Sequence, residues 1–291
     1  MIADRDSSGA GGAELGTPRT RIHARLSYDG TNFSGWARQP GRRTVQGEVE
    51  QALAIATRAP EPVQVVCAGR TDAGVHARDQ HIHADLLHPP LDAPAASRLL
   101  RRLNGLLPED VRVLALTQAA AGFDARFSVR TRSYSYRIAD GRPVDPLLRS
   151  HVVGWPHVLD LAAMNAAADQ LLGERDFAAF CRHRPEASTV RRLLELRWHR
   201  GDGDLAVLRV TADAFCHSMV RSLVGVLLPV GFGRREVAWP RLVADQGRRI
   251  PEVVVAPARG LVLERVEYAD DLPGQARRAR RVRGATGNPV G

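Results

Sequence analysis

The order of apolar and polar positions along the chain predicts an alternation of strands and helices. Where apolar residues occupy every second position, as over residues 22–28, one face of a strand is buried. Where they recur every three or four positions, as over residues 45–56, one face of a helix is buried. These two periods predict strands near residues 22–28, 63–68, 81–86, 111–116, 133–138, 194–198, 205–210 and 261–268, and helices near residues 45–56, 99–107, 161–172 and 215–230.

The connections between these elements indicate the fold class. The stretch GDGD at residues 201–204 separates two strands, which is typical of a hairpin. Helices that alternate with hairpins favour an α+β fold, in which helices flank a largely antiparallel sheet. The stretches DPLL and GWPH suggest a break between two halves. We therefore predict a disordered N-terminal tail over 1–19, an N-terminal half over 20–145, a C-terminal half over 146–270 and a basic disordered C-terminal tail over 271–291.

Composition is that of an ordinary globular protein. Of the 291 residues, 44% are hydrophobic and 25% charged, which is enough apolar content for a sizeable core. The longest uncharged apolar run, at residues 222–231, is far too short for a membrane span, and the N-terminus lacks the apolar segment of a signal peptide. These features predict a cytoplasmic protein. Three cysteines without C-x-x-C spacing argue against both a disulfide framework and a zinc site.

Charge changes this picture, because the protein is strongly basic. Its 41 basic residues are all arginine and outnumber 32 acids, which gives a formal net charge of +9. Such an excess favours a polyanionic partner, most simply a nucleic acid. The C-terminal tail is either a phosphate-binding segment or a disordered segment with no specific role. Its basic residues are Arg277, Arg278, Arg280, Arg281 and Arg283.

The stretch AGRTDAGVHA, at residues 68–77, contains a single acid in a setting of small residues. Gly69 and Gly74 permit backbone conformations that other residues rarely adopt, and Arg70 can pair with Asp72. One interpretation is an Asx turn, in which the acid merely closes a loop. The other is a catalytic carboxylate, because the small neighbours leave Asp72 open to a substrate.

Arginines and aromatic rings alternate in FDARFSVRTRSYSYRI, at residues 123–138. Such interleaving suits nucleic acid, since arginines bind phosphates while rings stack on bases. An edge strand with solvated arginines and buried rings would give the same pattern. Tyr134 and Tyr136 are two residues apart and share one face of a strand, so we expect at least one of them to line a cleft.

A third stretch, AFCHSMVRSLVGVL at residues 214–227, predicts a helix with an arginine on its apolar surface. His217, Arg221 and Gly225 follow at steps of four and share one face if the helix is continuous. A buried guanidinium needs an acidic partner, and Asp72 is the partner that we expect. Alternatively, Arg221 lies at the rim and extends its charged group into water. His81 and His83, on a predicted strand, are expected to face solvent or phosphate.

Seven motifs in order give the chain a resemblance to a known family over residues 21–268. They resemble those of the tRNA pseudouridine synthases that modify uridines at positions 38, 39 and 40 of the anticodon stem-loop. This chain departs from the family at Ala37, where glutamine is usual, and at Asp124, where histidine is frequent. The motifs are YDGTNFSGW, TVQGEVEQAL, CAGRTDAGVHA, LNGLLPEDVRV, FDARFSVRTRSYSYRI, AFCHSMVRSLVGVLLPVG and GLVLERVEY.

The resemblance implies roles for four residues. Asp72 matches the family's catalytic aspartate, which acts as nucleophile or base on a flipped-out uridine. Arg70 matches the arginine implicated in flipping and replacing the target base. Tyr134 matches the active-site tyrosine that stacks on the uracil, and Arg221 matches the arginine that pairs with the aspartate.

The resemblance also implies an architecture and a reaction. It implies a pseudouridine synthase fold with two similar α/β halves around a central sheet, a homodimer that binds tRNA, and an isomerase that uses no metal and no cofactor. Three alternatives stay open: a pseudouridine synthase for another RNA, a non-catalytic RNA-binding protein, and a hydrolase that uses Asp72 with a histidine such as His76.

Overall fold

Ten strands of the described residues form one mixed sheet, and helices flank it. The structure is a computed structural model that describes residues 19–182 and 188–284. The predicted N-terminal tail, apart from residue 19, lies outside the described residues. The strands are β1 (Arg19–Tyr28), β2 (Val65–Cys67), β3 (His76–Leu87), β4 (Val111–Gln118), β5 (Val129–Asp140), β6 (Val153–Trp155), β7 (Gly173–Asp176), β8 (Val190–Arg200), β9 (Ala206–Ala212) and β10 (Leu261–Tyr268).

Six α-helices in the described part of the chain connect or follow these strands. They are α1 (Val45–Thr57), α2 (Ala93–Leu106), α3 (Leu161–Asp169), α4 (Met219–Gly231), α5 (Trp239–Ala244) and α6 (Leu272–Gly284).

The strand order along the sheet is β4-β1-β3-β10-β5-β9-β8-β7. β2 pairs with β3, and β6 pairs with β5. All pairings are antiparallel except β10 with β3 and β5 with β6, so the predicted α+β class with a largely antiparallel sheet is confirmed. β5 precedes the predicted boundary at residue 145, yet each strand that it pairs with in the described part of the chain follows that boundary. The boundary itself stays a prediction.

The centre of the sheet positions the glycine-rich loop. β3 pairs with β2 along Ile82–Ala84 and with β10 along His76 and Ala77, so the two neighbours share one edge of β3. The loop that joins β2 to β3 therefore lies where strands from the two ends of the chain meet. Apolar side chains of both regions form a continuous buried core around this point.

Local sequence explains the first two helices. Thr44 begins α1, where its side chain accepts a hydrogen bond from the Gly47 amide, and Asp92 begins α2 by accepting from the Ala95 amide. The predicted apolar stripe of α1 is buried, and α1 packs against α2. In the second half, α3 packs against α4 and β8. Among the described residues, no helix is both long and apolar enough to cross a membrane.

Four sequence predictions need correction. α4 begins at Met219 rather than near 215, because Ser218 has a φ of 62°, which a right-handed helix cannot contain. α3 ends at Asp169 rather than at 172. His81 and His83 are buried, not solvated, because Tyr268 packs against the ring of His81 and Phe123 against that of His83. Residues 272–284, predicted to be disordered, form α6, while residues 285–291 lie outside the described part.

Candidate active site

The loop between β2 and β3 carries Asp72 and is held by the segment that contains YDGTNFSGW. The Trp36 amide donates a hydrogen bond to the Thr71 carbonyl at 3.0 Å, and the Gly74 amide donates to the Phe33 carbonyl at 3.3 Å. These backbone hydrogen bonds on both sides of Asp72 restrict its main chain, so its carboxylate has a defined position.

Two glycines make this close contact possible. Gly35 has a φ of 96°, and a Cβ there would lie 3.0 to 3.2 Å from backbone atoms of the Asp72 loop. Gly74 has a φ of 77°. Both values lie in the region that favours glycine, which explains why glycines stand at these positions of the two motifs.

The carboxylate of Asp72 has three polar neighbours, all from the segment at the start of α4. Nη1 of Arg221 donates to Oδ2 at 3.0 Å, and the Ser218 hydroxyl donates to the same oxygen at 3.1 Å. Nε2 of His217 lies 3.3 Å from Oδ1. The structure thus brings together Asp72 and Arg221 as the sequence predicted, and it adds two residues that the sequence analysis had not paired with the aspartate.

Arg221 is itself fixed by a second segment of chain. Its Nε donates to the Ala256 carbonyl at 2.7 Å, and the Ala256 amide donates back to the Arg221 carbonyl at 3.0 Å. One turn later, Gly225 passes so close to Val254 that a Cβ would lie 1.7 Å from its carbonyl oxygen. The guanidinium therefore has little freedom to leave Asp72.

Asp72 faces a cavity of about 510 Å³, a volume in the range of ordinary ligand sites. Its lining includes Gly69, Arg70, Tyr134 and Phe215 along with the three neighbours of the aspartate. The Asp72 side chain is 22% exposed, so the carboxylate is accessible from the cavity while the surrounding protein restricts its motion.

Tyr134 on β5 forms part of the cavity wall. Its ring packs edge-on against Phe215, with 5.1 Å between the ring centroids. Burial raises the pKa of the Tyr134 phenol to about 12, so the hydroxyl stays neutral near pH 7. Tyr136 is instead fully buried and donates its hydroxyl to the Pro257 carbonyl at 2.8 Å. The expectation that one tyrosine of the pair lines a cleft is confirmed for Tyr134.

Arg70 lines the same cavity but does not pair with Asp72. Its side chain is exposed, and no ion pair joins it to an acid among the residues that the structure describes. The sequence-based expectation of a contact between Arg70 and Asp72 is therefore wrong for this structure, in which Arg221 and Ser218 donate to Oδ2 and His217 lies beside Oδ1. An exposed guanidinium at the cavity can still contact a bound nucleic acid.

Arg132 is the main residue of the site that sequence reasoning missed. It is buried, and its guanidinium donates to the carbonyls of Ala68 at 3.0 Å, Asp213 at 2.8 Å and Arg126 at 3.2 Å. Burial lowers its pKa from the ordinary arginine value. One side chain thus joins three segments that line the cavity. No feature of the sequence distinguishes Arg132, since several arginines of the same motif have similar neighbours.

Comparison with known proteins identifies the family. The chain is 54% identical over 260 residues to tRNA pseudouridine synthase A of Frankia casuarinae, covering 89% of this chain and 93% of that protein. It is also 54% identical to the protein of the same name from Streptomyces avermitilis, covering 87% and 90% of the two chains. The chain belongs to the tRNA pseudouridine synthase family.

A family model and solved structures were also compared with the chain. The family model described as tRNA pseudouridine synthase matches residues 167–269, which include Arg221. Among solved structures, the archaeal box H/ACA sRNP Nop10-Cbf5 complex matches 71% of this chain and 43% of that chain at 12% identity. The TM-score of that match is 0.31.

One departure from the family pattern has a structural explanation. Asp124 does not present a bare negative charge, because its carboxylate accepts hydrogen bonds from the amides of Arg126 and Phe127 at 2.9 Å and from Arg280 at 2.6 Å. Burial alone would raise the pKa of Asp124, but these three donors outweigh it and hold the pKa below its usual value. The aspartate is thus a fixed anchor for α6.

The cysteines also differ from the sequence prediction. Cys181 and Cys216 form a disulfide, with 5.6 Å between their Cα atoms, whereas Cys67 is buried and unpaired with another cysteine. The odd number of cysteines and the lack of C-x-x-C spacing argue against a disulfide framework, and this single bond departs from that expectation. The bond lies next to the segment that carries His217 and Ser218.

A cluster of Asp29, His76 and His151 has the residue types of a metal site. Its three potential ligand atoms lie within 4.8 Å of one another. Nδ1 of His76, however, accepts the Gly30 amide at 3.0 Å, and its Nε2 lies 3.1 Å from the Arg259 carbonyl. Burial lowers the pKa of His76, which favours this neutral, fully hydrogen-bonded ring. We therefore assign no metal to the cluster.

Proposed function

We propose that this protein isomerises uridine to pseudouridine in the anticodon stem-loop of tRNA. The observation that carries the proposal is the carboxylate of Asp72, held by Arg221 and Ser218 and open to a cavity that Tyr134 lines. Membership of the tRNA pseudouridine synthase family supports the same reaction, and the sequence resemblance extends the proposal to positions 38, 39 and 40.

The reaction needs few groups because it is an isomerisation. The N1–C1′ bond of the uridine breaks, the base turns, and a C5–C1′ bond forms. C5 loses a proton and N1 gains one, so the mass of the nucleotide is unchanged. Asp72 acts as the nucleophile or base that promotes cleavage of the N1–C1′ bond, and Arg221 stabilises the negative charge of Asp72. No oxidant, reductant or cofactor enters this balance.

The target uridine must first leave its stack. Unstacking costs about a few kcal/mol, and stacking on an aromatic ring returns roughly 1–3 kcal/mol. Tyr134 supplies that ring from the cavity wall, and stacking on the base is the contribution that we assign to it. Arg70, exposed at the cavity, contacts the RNA and fills the space that the base leaves.

Two finer statements belong to the proposal. The enzyme acts as a homodimer with tRNA across both chains, and it works in the cytoplasm where tRNA is modified. The first statement is tested by measuring the mass of the protein in solution with and without tRNA, where a mass of one chain in both conditions would contradict it.

The decisive experiment is to incubate the purified protein with a tRNA transcript and to map pseudouridine by mass spectrometry of its fragments. We expect unchanged mass, with resistance to glycosidic cleavage at positions 38 to 40. Release of uracil would indicate a hydrolase instead, in which case His217 rather than His76 is the histidine beside Asp72. Binding without conversion would indicate an RNA-binding protein, and conversion of ribosomal but not transfer RNA would indicate another substrate.

A further inference from the structure

The helix α6 has a charge and a position that the proposed reaction does not use. It begins at Leu272, beyond residue 269 where the family match ends. From residue 272 to the C-terminus the sequence contains five arginines and no acid. Among the described side chains of α6, those of Arg277, Arg278 and Arg280 are exposed. Such a cationic helix is either a solvated element or a surface for an anion.

Specific contacts hold α6 against the start of β5. Arg280 pairs with the buried carboxylate of Asp124 at 2.6 Å, and its guanidinium lies 5.1 Å from the ring centroid of Phe127. Near the start of the helix, the Ser128 hydroxyl donates to the Leu272 carbonyl at 3.2 Å. Gln275 donates to the carbonyl of Val129 at 3.2 Å. The helix is thus attached at two points rather than loosely placed.

The same segment reaches the cavity. Arg126 lines the cavity, is exposed, and places its guanidinium 5.1 Å from the Phe127 ring. The guanidinium groups of Arg126 and Arg280 therefore both lie 5.1 Å from the centroid of the Phe127 ring. Phe127 thus links Arg126, which lines the cavity, to Arg280 of α6. Arg277 and Arg278 are exposed on the same helix, and Nη1 of Arg278 lies 3.7 Å from the Asp271 carboxylate. We call Arg126, Arg277, Arg278 and Arg280 the arginine ridge.

We propose that the arginine ridge binds the sugar-phosphate backbone of the substrate RNA outside the nucleotide that enters the cavity. This inference rests on the proposed function, because it assigns a second contact surface to the same substrate. Exposed arginines bind phosphates, and a basic helix joined to the cavity wall through Arg126, Phe127 and Arg280 suits an RNA chain that continues beyond the nucleotide in the cavity. Ala276 is buried against the fold, so α6 presents charge rather than an apolar face, which disfavours a membrane surface.

The ridge makes a quantitative prediction for binding. The logarithm of the affinity falls with the logarithm of salt by about 0.7 to 0.9 for each phosphate contact. Replacing both Arg277 and Arg278 by glutamine should therefore reduce the salt slope for tRNA by about 1.4 to 1.8. Arg98→Gln with Arg101→Gln on α2 is the matched control, because it removes the same charge from exposed positions outside the cavity lining.

Binding should be measured with a tRNA transcript and the Asp72→Asn protein, so that turnover does not disturb the titration. We expect the ridge variant to bind more weakly with a shallower slope, and the α2 control to match the parent. In the active protein, the same ridge substitutions should raise KM several-fold and change kcat by less than about twofold, since phosphate contacts away from the reacting nucleotide serve ground state and transition state alike.

Equal salt slopes of tRNA binding for the ridge variant and the α2 control would overturn the inference. Binding of anionic vesicles that is lost in the ridge variant, with no change in its salt slope for tRNA, would also overturn it. Arg280→Gln tests the attachment, because loss of its pair with Asp124 should also weaken tRNA binding. Failure of the proposed function can be distinguished from failure of this inference. If the protein does not convert uridine but the ridge variant has the shallower salt slope, the reaction is wrong and the arginine ridge stands. If the protein converts uridine but the salt slopes are equal, the reaction stands and the arginine ridge is wrong.

Discussion

Two aspartate–arginine pairs in this protein have similar distances and different surroundings. Arg200 places Nη1 and Nη2 at 2.6 and 2.9 Å from the two oxygens of Asp140, and the Leu159 amide donates to Oδ2 at 2.8 Å. Arg221 offers one nitrogen to one oxygen of Asp72 at 3.0 Å. The Asp140 side chain has no exposed surface, whereas that of Asp72 is 22% exposed and faces the cavity.

The difference shows what makes a carboxylate available for chemistry. Both oxygens of Asp140 are occupied by donors that connect β5, β8 and the segment before α3, so the group serves the fold. Asp72 has Arg221 and Ser218 on Oδ2 and His217 beside Oδ1, but its side chain is still partly exposed to the cavity, so a substrate can reach the carboxylate while these neighbours hold it in position. The same pair of residue types therefore serves structure in one place and, we propose, catalysis in the other.

The largest expected effect comes from Asp72→Asn. Because the amide cannot act as nucleophile or base, pseudouridine formation should fall by roughly 10³-fold or more, while tRNA affinity and the melting temperature stay close to those of the parent. Turnover and binding are measured on one preparation. Substantial residual turnover would remove Asp72 from the proposed role.

Arg221→Met should have the next largest effect on catalysis. It removes the charged donor to Asp72 and the hydrogen bond to Ala256, so we expect a loss of about 10- to 100-fold in kcat, equivalent to about 1.4–2.7 kcal/mol. Arg221→Lys should recover part of the loss, because it keeps the charge but not the second hydrogen bond. Full activity of the methionine variant would show that the pair is only structural.

Asp140→Asn should behave in the opposite way, with stability affected and catalysis per folded molecule unchanged. Because Arg200 is partly exposed, we expect a loss of about 1–3 kcal/mol in the free energy of unfolding, at the low end of or below the cost of breaking a fully buried pair. Denaturant titration measures the loss. A kcat as low as that of the Asp72 variant would contradict the distinction between the two pairs.

The pH dependence of stability sharpens the same contrast. Burial alone would raise the pKa of Asp140, but hydrogen bonds from Arg200 and Leu159 hold it below the usual value. The carboxylate therefore contributes stability above its unfolded pKa, about 3.9, and loses that contribution as pH falls through the lower folded value. The parent should lose more stability than Asp140→Asn between about pH 5 and about pH 2. If the free energies of unfolding of the two proteins changed in parallel over this pH range, the expectation would be wrong.

Tyr134→Phe should have the smallest effect, because the ring remains. If stacking is its main task, the phenylalanine variant should keep a rate within about tenfold of the parent, and Tyr134→Ala should lose more, in line with roughly 1–3 kcal/mol of stacking. The pKa of about 12 also predicts that the alkaline side of the pH–rate profile below pH 10 is unchanged in the phenylalanine variant. If Tyr134→Phe and Tyr134→Ala reduced the rate equally, the hydroxyl rather than the ring would be the important group, which would indicate a proton transfer.

Sequence periodicity predicted elements whose signals are local. The stripe of α1 and the hairpin of β8 and β9 follow from side-chain spacing and from the GDGD turn, so they were found without any structure. The pairing of Arg221 with Asp72 was also predicted, because a charged residue on an apolar helix needs an acid. Seven motifs in order indicated the family, and the relatives confirm it.

Tertiary contacts decided the rest. The start of α4 depends on the positive φ of Ser218, and the order of α6 depends on a pair between residues 156 positions apart, Asp124 and Arg280. Arg132 looks like its neighbouring arginines in the sequence, yet only the fold places three carbonyls around it. The sequence by itself determined that Asp72 and Arg221 are candidates for chemistry, and it determined the elements with strong local signals, such as α1, β8 and β9. Only the tertiary structure decided which aspartate is saturated and which is open, because that depends on donors contributed by distant parts of the chain.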